Sequence, residues 1–263
     1  MKRARAAALL AGALASLAGS AHAQERVIPL DRLRSGSAFL SADLRGMQED
    51  DLANPAMLWA ESGAKLWREP AGKLGRSCES CHHDAEKSMR GVAARYPRVD
   101  PASGEFLDLE GRINRCRTGH MRAEPLRYES EAMLALTVHV ARQSRGMPVG
   151  VAIDGPARAH FEAGRAYYYE RHGQMNLSCA HCHEANWDKR LFSEAITQGQ
   201  PNAYPAYRLE WQTLGSLQRR LRACLSGVRA EMLPYGSPVY LDLELFLAWR
   251  AQGLPVETPG VRR

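Results

Sequence analysis

Two five-residue stretches carry the most specific chemistry in the chain. Cys78-Glu79-Ser80-Cys81-His82 and Cys179-Ala180-His181-Cys182-His183 both read C-x-x-C-H. In that pattern two thiols add across the vinyl groups of haem, and the histidine after the second cysteine ligates the iron. C-x-x-C alone also suits a redox dithiol or half of a zinc site. The following histidine, present twice, selects covalent haem. Cys78, Cys81, Cys179 and Cys182 are therefore the expected attachment points of two haem c groups, with His82 and His183 as proximal ligands.

Two cysteines remain, Cys116 and Cys224, and they hold matching places in an internal repeat. Gly63-Ala64-Lys65-Leu66-Trp67 precedes the first haem motif as Gly164-Arg165-Ala166-Tyr167-Tyr168 precedes the second. Tyr96-Pro97 and Tyr204-Pro205 lead to the lone cysteines, and Arg122-Ala123-Glu124 and Arg229-Ala230-Glu231 follow them. Met89, Met121, Met133, Met147, Met175 and Met232 are available for the sixth iron position, but most lack a counterpart in the other copy. A thiolate stabilises ferric iron and lowers the reduction potential relative to methionine. Cys116 and Cys224 are thus the expected distal ligands; a Cys116–Cys224 disulfide and two inert buried thiols are the alternatives. Arg220 stands four residues before Cys224, one helical turn away on the same face, with Arg219 and Arg222 beside it. On an apolar, haem-facing stripe it needs an anion, either a haem propionate or a substrate. Arg112 stands four residues before Cys116, so spacing does not say which copy does chemistry.

These groups require a mainly α framework: two tandem cytochrome c-like haem domains related by the repeat, with an N-terminal extension. Leu217, Leu221, Cys224 and Val228 form one helical stripe, ended by Pro234 and Gly236. Tyr240 to Ala251 forms a closing helix, and Met133 to Arg142 takes the same place in the first copy. Pro97 to Gly104 and Pro201 to Pro205 read as loops. His83, His120, His139, His160, His172 and His181 do not recur between copies and are expected at the surface or in loops. Lys2, Arg3 and Arg5, the apolar run Ala6 to Gly19, and Ala21-His22-Ala23 make a cleavable export signal over residues 1–23. An extension over 24–54, a first domain over 55–148 and a second, catalytic domain over 149–263 follow. Losing the three basic leader residues takes the formal charge from +6 to +3. That mild excess favours anionic substrates or acidic partners and is no nucleic-acid signature. No later run is apolar and long enough to span a bilayer.

The doubled pairing of C-x-x-C-H with a later lone cysteine, with Arg220-Leu221-Arg222-Ala223-Cys224 and Ile113-Asn114-Arg115-Cys116-Arg117, resembles the SoxA family over essentially the whole mature chain. SoxA is the dihaem subunit of the SoxAX cytochrome of periplasmic thiosulfate oxidation. The resemblance implies an L-cysteine S-thiosulfotransferase that joins thiosulfate oxidatively to a cysteine of the carrier protein SoxYZ. It implies Cys224 as distal ligand and catalytic persulfide, Arg220 as thiosulfate ligand, and a monohaem SoxX partner that receives electrons. It leaves the haem of Cys78, Cys81, His82 and Cys116 without a firm role. A pure electron-transfer cytochrome, a thiosulfate dehydrogenase forming tetrathionate and, more remotely, a dihaem peroxidase are the rival readings.

Overall fold

A computed structural model describes residues 26–263; the expected export signal lies outside the described residues. The chain is mainly helical. After two short 3-10 turns come α1 (Ala42–Glu49), α2 (Met57–Arg68), α3 (Glu79–His82) and α4 (Ala85–Ser88). A hairpin of β1 (Arg98–Val99) and β2 (Phe106–Leu107) leads to α5 (Leu109–Cys116) and α6 (Glu131–Arg142). The second half holds α7 (Arg158–Tyr169), α8 (Cys179–His183), the hairpin β3 (Arg190–Leu191) and β4 (Glu194–Ala195), and then β5 (Ala206–Arg208) and β6 (Thr213–Gly215). It closes with α9 (Leu217–Gly227), α10 (Pro238–Arg250) and β7 (Gly260–Arg262). Strand β5 is central, antiparallel to β6 and parallel to β7.

Two helix pairs form the frame, and each is set by a glycine. Helix α2 buries Ala60, Gly63 and Trp67, and α7 buries Phe161, Gly164 and Tyr168, at the same i, i+3, i+7 spacing of one helical face. A Cβ on Gly63 would lie 2.0 Å from the Ala135 carbonyl oxygen of α6, and one on Gly164 would lie 2.0 Å from that of Asp242 in α10. The backbones therefore cross in direct contact. Around the second crossing, Phe161, Tyr168, Phe246 and Trp249 interlock at centroid separations of 5.1–5.6 Å. Side chains of this size dominate core stabilisation.

The two halves share their core. Ala56, Ala60, Leu134 and Val138 pack with Tyr207 of β5 and Leu214 of β6. Ala94, from the segment before β1, joins Phe161, Leu243 and Phe246. The N-terminal extension lies over both halves. Arg26 donates to the carbonyls of Trp249 and Arg250 at the end of α10, while Asp51 pairs with Arg142 and Arg145 at the end of α6.

Three sequence expectations need correction. Helix α9 ends at Gly227, well before Pro234, because the chain reverses through Arg229 at φ +57°. His139, His160 and His181 are half-buried on helices rather than in loops: His139 on α6 has its ring centroid 5.7 Å from that of Trp67, His160 on α7 stacks on Phe106 at 3.9 Å, and His181 belongs to α8. Pro97 to Gly104 is not all loop, because it contains β1 (Arg98–Val99), and strands of two or three residues are too short to show an alternating pattern.

Candidate functional site

Both C-x-x-C-H motifs open on a serine that caps its own turn. Ser77 Oγ accepts from the Ser80 amide and Ser80 Oγ accepts from the Ser77 amide, each at 3.1 Å. In the second motif Ser178 and His181 form the same reciprocal box, with Ser178 Oγ and His181 Nδ1 2.6 Å apart. The box fixes the turn that presents the two thiols and the last histidine on successive helical positions.

Each lone cysteine reaches its own motif. The thiol of Cys116 lies close enough to Cys78 and Cys81 for their charges to interact, and Cys224 does the same with Cys179 and Cys182. All six cysteines are free, and Cys116 and Cys224 belong to separate sites, so the alternative disulfide between them does not form. Of the methionines, Met121 and Met133 are core residues, while Met175 and Met232 are about half exposed.

The two sites differ where it matters for reactivity. Burial pushes the Cys224 thiol up, but Arg220 beside it and a hydrogen bond from His183 outweigh that and bring it down to about 7. Burial pushes Cys116 up, and there the opposing pull of Arg112 does not prevail. Arg112 donates to Asp100 at 3.3 Å, so its charge is already shared. Asp100 is placed by the β1–β2 turn, where its carbonyl accepts from Gly104 at 2.8 Å. Among the described residues no carboxylate forms an ion pair with Arg220, and the Cys224 thiolate is its leading electrostatic partner. Its neighbours are occupied elsewhere: Arg219 faces Glu129 at 3.8 Å, and Arg222 donates to the Leu233 carbonyl. The structure thus separates two arginines that sequence spacing left equivalent.

The second site also fits haem by an orphaned polar group. The Nε of Arg208, which lies near Cys224, is buried without a hydrogen-bond partner. Arg208 also helps to hold Cys224 in its ionised form. His183 Nδ1 donates to the Thr197 carbonyl at 2.8 Å, so Nε2 is the nitrogen that faces Cys224 and would take a metal. Thr197 and Arg208 carry no motif; only their places in the fold reveal them.

Helix α9, which carries Arg220 and Cys224, is held by residues of the first half. Its cap, Ser216, donates from both amide and hydroxyl to Glu129. Gln218 donates to Asp108 at 3.2 Å, and Asp108 also accepts from Tyr128 at 2.8 Å and from the Gly111 amide at 2.6 Å. Glu110 and Glu244 join this cluster, and burial first, then the neighbouring carboxylates, raise both. Glu110 is pushed up to about 8. A carboxyl with a raised folded value keeps its proton in the fold after the unfolded chain has lost it, so stability falls as pH rises through that interval. Thermal unfolding between pH 5 and 8.5 is expected to show a Tm that declines with pH. Glu110→Gln should flatten the decline and raise Tm at pH 8 by at least ~3 °C; a variant that melts in parallel with the parent would contradict this assignment.

A family model described as "SoxA/TsdA, cytochrome c domain" matches residues 62–149. The curated L-cysteine S-thiosulfotransferase subunit SoxA of Pseudaminobacter salicylatoxidans is 40% identical over 236 residues, which cover 89% of this chain and 82% of the relative. Its counterpart of the same name from Paracoccus pantotrophus is 39% identical over 232 residues, 88% of this chain and 80% of that one. The crystal structure of SoxXA from P. pantotrophus superposes with a TM-score of 0.85 at 39% identity, covering 88% of this chain and 87% of the other. A cytochrome c domain, identity sustained over nearly the full length and a shared fold agree: the chain belongs to the SoxA family.

Proposed function

We propose that this protein is a periplasmic dihaem L-cysteine S-thiosulfotransferase that couples thiosulfate to a cysteine of the SoxYZ carrier and works with a SoxX-type monohaem subunit. The observation that carries this reading is the placing of Arg220, which forms no ion pair with a carboxylate among the described residues, beside Cys224, which itself lies against Cys179, Cys182 and His183 of the second C-x-x-C-H motif. The names of the relatives and the SoxXA structure support the activity and the partner. Two tandem cytochrome c-like units are supported by the two glycine-set helix crossings and the two self-capped motifs. Cys78 and Cys81 hold the first haem, with His82 and Cys116 on its iron; Cys179 and Cys182 hold the second, with His183 and Cys224.

In the net reaction the carrier thiol and thiosulfate form a carrier S–S–SO3⁻ group, releasing two electrons and one proton. The bond formed is between the carrier sulfur and the outer sulfur of thiosulfate. When bound, c-type haem supplies the one-electron acceptor that passes these electrons to SoxX. Arg220 holds the sulfonate through paired N–H donors in an enclosed site, where a fixed guanidinium acts more strongly than in water. Cys224 acts as a persulfide, so its outer sulfur meets thiosulfate next to that guanidinium. Mass spectrometry of the Cys224 peptide should show one additional sulfur atom.

Arg220 tests the reading directly. With SoxYZ and thiosulfate present, Arg220→Ala is expected to lower kcat/KM for thiosulfate by about 10²–10³-fold. Arg220→Lys, which keeps the charge but not the fork, should lose about tenfold. Undiminished turnover in the alanine variant would contradict Arg220 as the thiosulfate ligand. Tetrathionate formed from thiosulfate and an acceptor, with no carrier protein, would instead make the chain a thiosulfate dehydrogenase.

A further inference from the structure

The loop after β4 runs Thr197-Gln198-Gly199 past one face of His183. The Thr197 carbonyl accepts from His183 Nδ1 at 2.8 Å. Gly199, at φ +71°, lets the backbone lie against the ring: a Cβ there would be 2.8 Å from His183 Cγ. Gln198, between them, is 0% exposed. Its side chain turns away from the ring into the N-terminal strap, where Oε1 accepts from the Arg34 amide at 2.8 Å and Nε2 donates to the Arg32 carbonyl at 3.0 Å. Its own carbonyl accepts from Arg250 at 2.9 Å, and the same guanidinium pairs at 3.4 Å with Glu184, the residue after His183. The strap, the loop and the end of α8 are therefore closed into one buried ring of hydrogen bonds around the histidine.

We propose that Gln198 is a positioning residue: through the strap backbone at Arg32 and Arg34 it holds the Thr197 carbonyl on His183 and so sets the electron-donating strength of that imidazole. The inference rests on His183 being the proximal ligand of the second haem. A carbonyl that accepts from Nδ1–H makes the opposite nitrogen a stronger donor. A stronger donor favours ferric iron and lowers the potential. Loosening the clamp therefore raises the potential of the second haem and leaves the first unchanged.

Two variants of the haem-loaded full chain test this. Gln198→Leu keeps most of the volume and removes both side-chain hydrogen bonds. Arg34→Pro removes the amide that Gln198 accepts from and keeps Gln198 itself, at the cost of the guanidinium that lies 5.7 Å over the Trp187 ring; Leu33 is already extended at ψ 128°, the backbone a following proline requires. Spectroelectrochemical titration should show the second-haem potential raised in both variants, more in Gln198→Leu, with the first-haem potential unmoved. Arg34→Pro also removes a positive charge, which by itself would lower the potential, so a rise is not a charge effect. Should Gln198→Leu fail to incorporate its second haem, Arg34→Pro decides the matter. Unchanged potentials in variants that retain both haems would overturn the proposal even if their Tm falls. Electron paramagnetic resonance of the parent protein separates the two levels. If its second haem lacks a histidine/thiolate signature, the ligand assignment fails and the clamp has no target.

Discussion

Replacing Cys224 with alanine is expected to reduce thiosulfate-dependent turnover with SoxYZ by at least ~10³-fold, while both haems stay attached. Removing the reacting atom eliminates the step itself, whereas removing a neighbouring charge only weakens it. In the proposed ligand set attachment depends on Cys179 and Cys182, which the substitution leaves intact. The matched control is Cys116→Ala. Burial raises its thiol, and Arg112 is shared with Asp100, so this variant should change the spectrum of the first haem and keep most turnover. Stopped-flow haem reduction and steady-state assays on the two proteins give the comparison. Equal losses in both would contradict the division of labour between the sites.

The second large effect is structural. Alanine at Gly164 would place a methyl carbon 2.0 Å from the Asp242 carbonyl oxygen and 2.5 Å from its carbon, so α7 and α10 must separate. Glycine to alanine in a helix normally stabilises by up to about 1 kcal/mol. Here the overlap is with backbone, and overpacking of this kind costs about 3 kcal/mol or more. Tm should fall by roughly 6–12 °C for a chain of this size. The same change at Gly46, where a Cβ meets nothing within 4 Å, should leave Tm unchanged or slightly raised. Differential scanning calorimetry of the two variants provides the test, and a neutral Gly164→Ala would mean that the helices do not cross in contact.

The chemistry of this chain was legible where it is local. A C-x-x-C-H turn needs only five consecutive residues, and Gly63 and Gly164 announce themselves by standing at the same interval before Cys78 and Cys179. Relationships across the fold were not legible. Arg112 and Arg220 look alike in sequence because Asp100, which pairs with Arg112, is brought there by a hairpin turn twelve residues away. Thr197 acts through its carbonyl, which every residue type possesses. Gln198 meets Arg32 and Arg34 across more than 160 positions, and nothing in a polar N-terminal segment indicates which loop it will cover. The end of α9 was placed late because Pro234 and Gly236 are visible stop signals, while Arg229 adopts a left-handed conformation that its residue type does not favour.

Glu129 and Asp108 belong to the first half, yet they hold the cap and the first turn of the helix that carries Cys224. Isolated, the second half would keep its haem motif and lose the partners that orient its reactive cysteine. The two halves are therefore not interchangeable modules. On the proposed reading a descendant of this protein could surrender its first haem while keeping its chemistry, but it could not discard the polypeptide that holds α9 in place. In such a lineage the first half would survive as a bracket for the helix that carries Cys224.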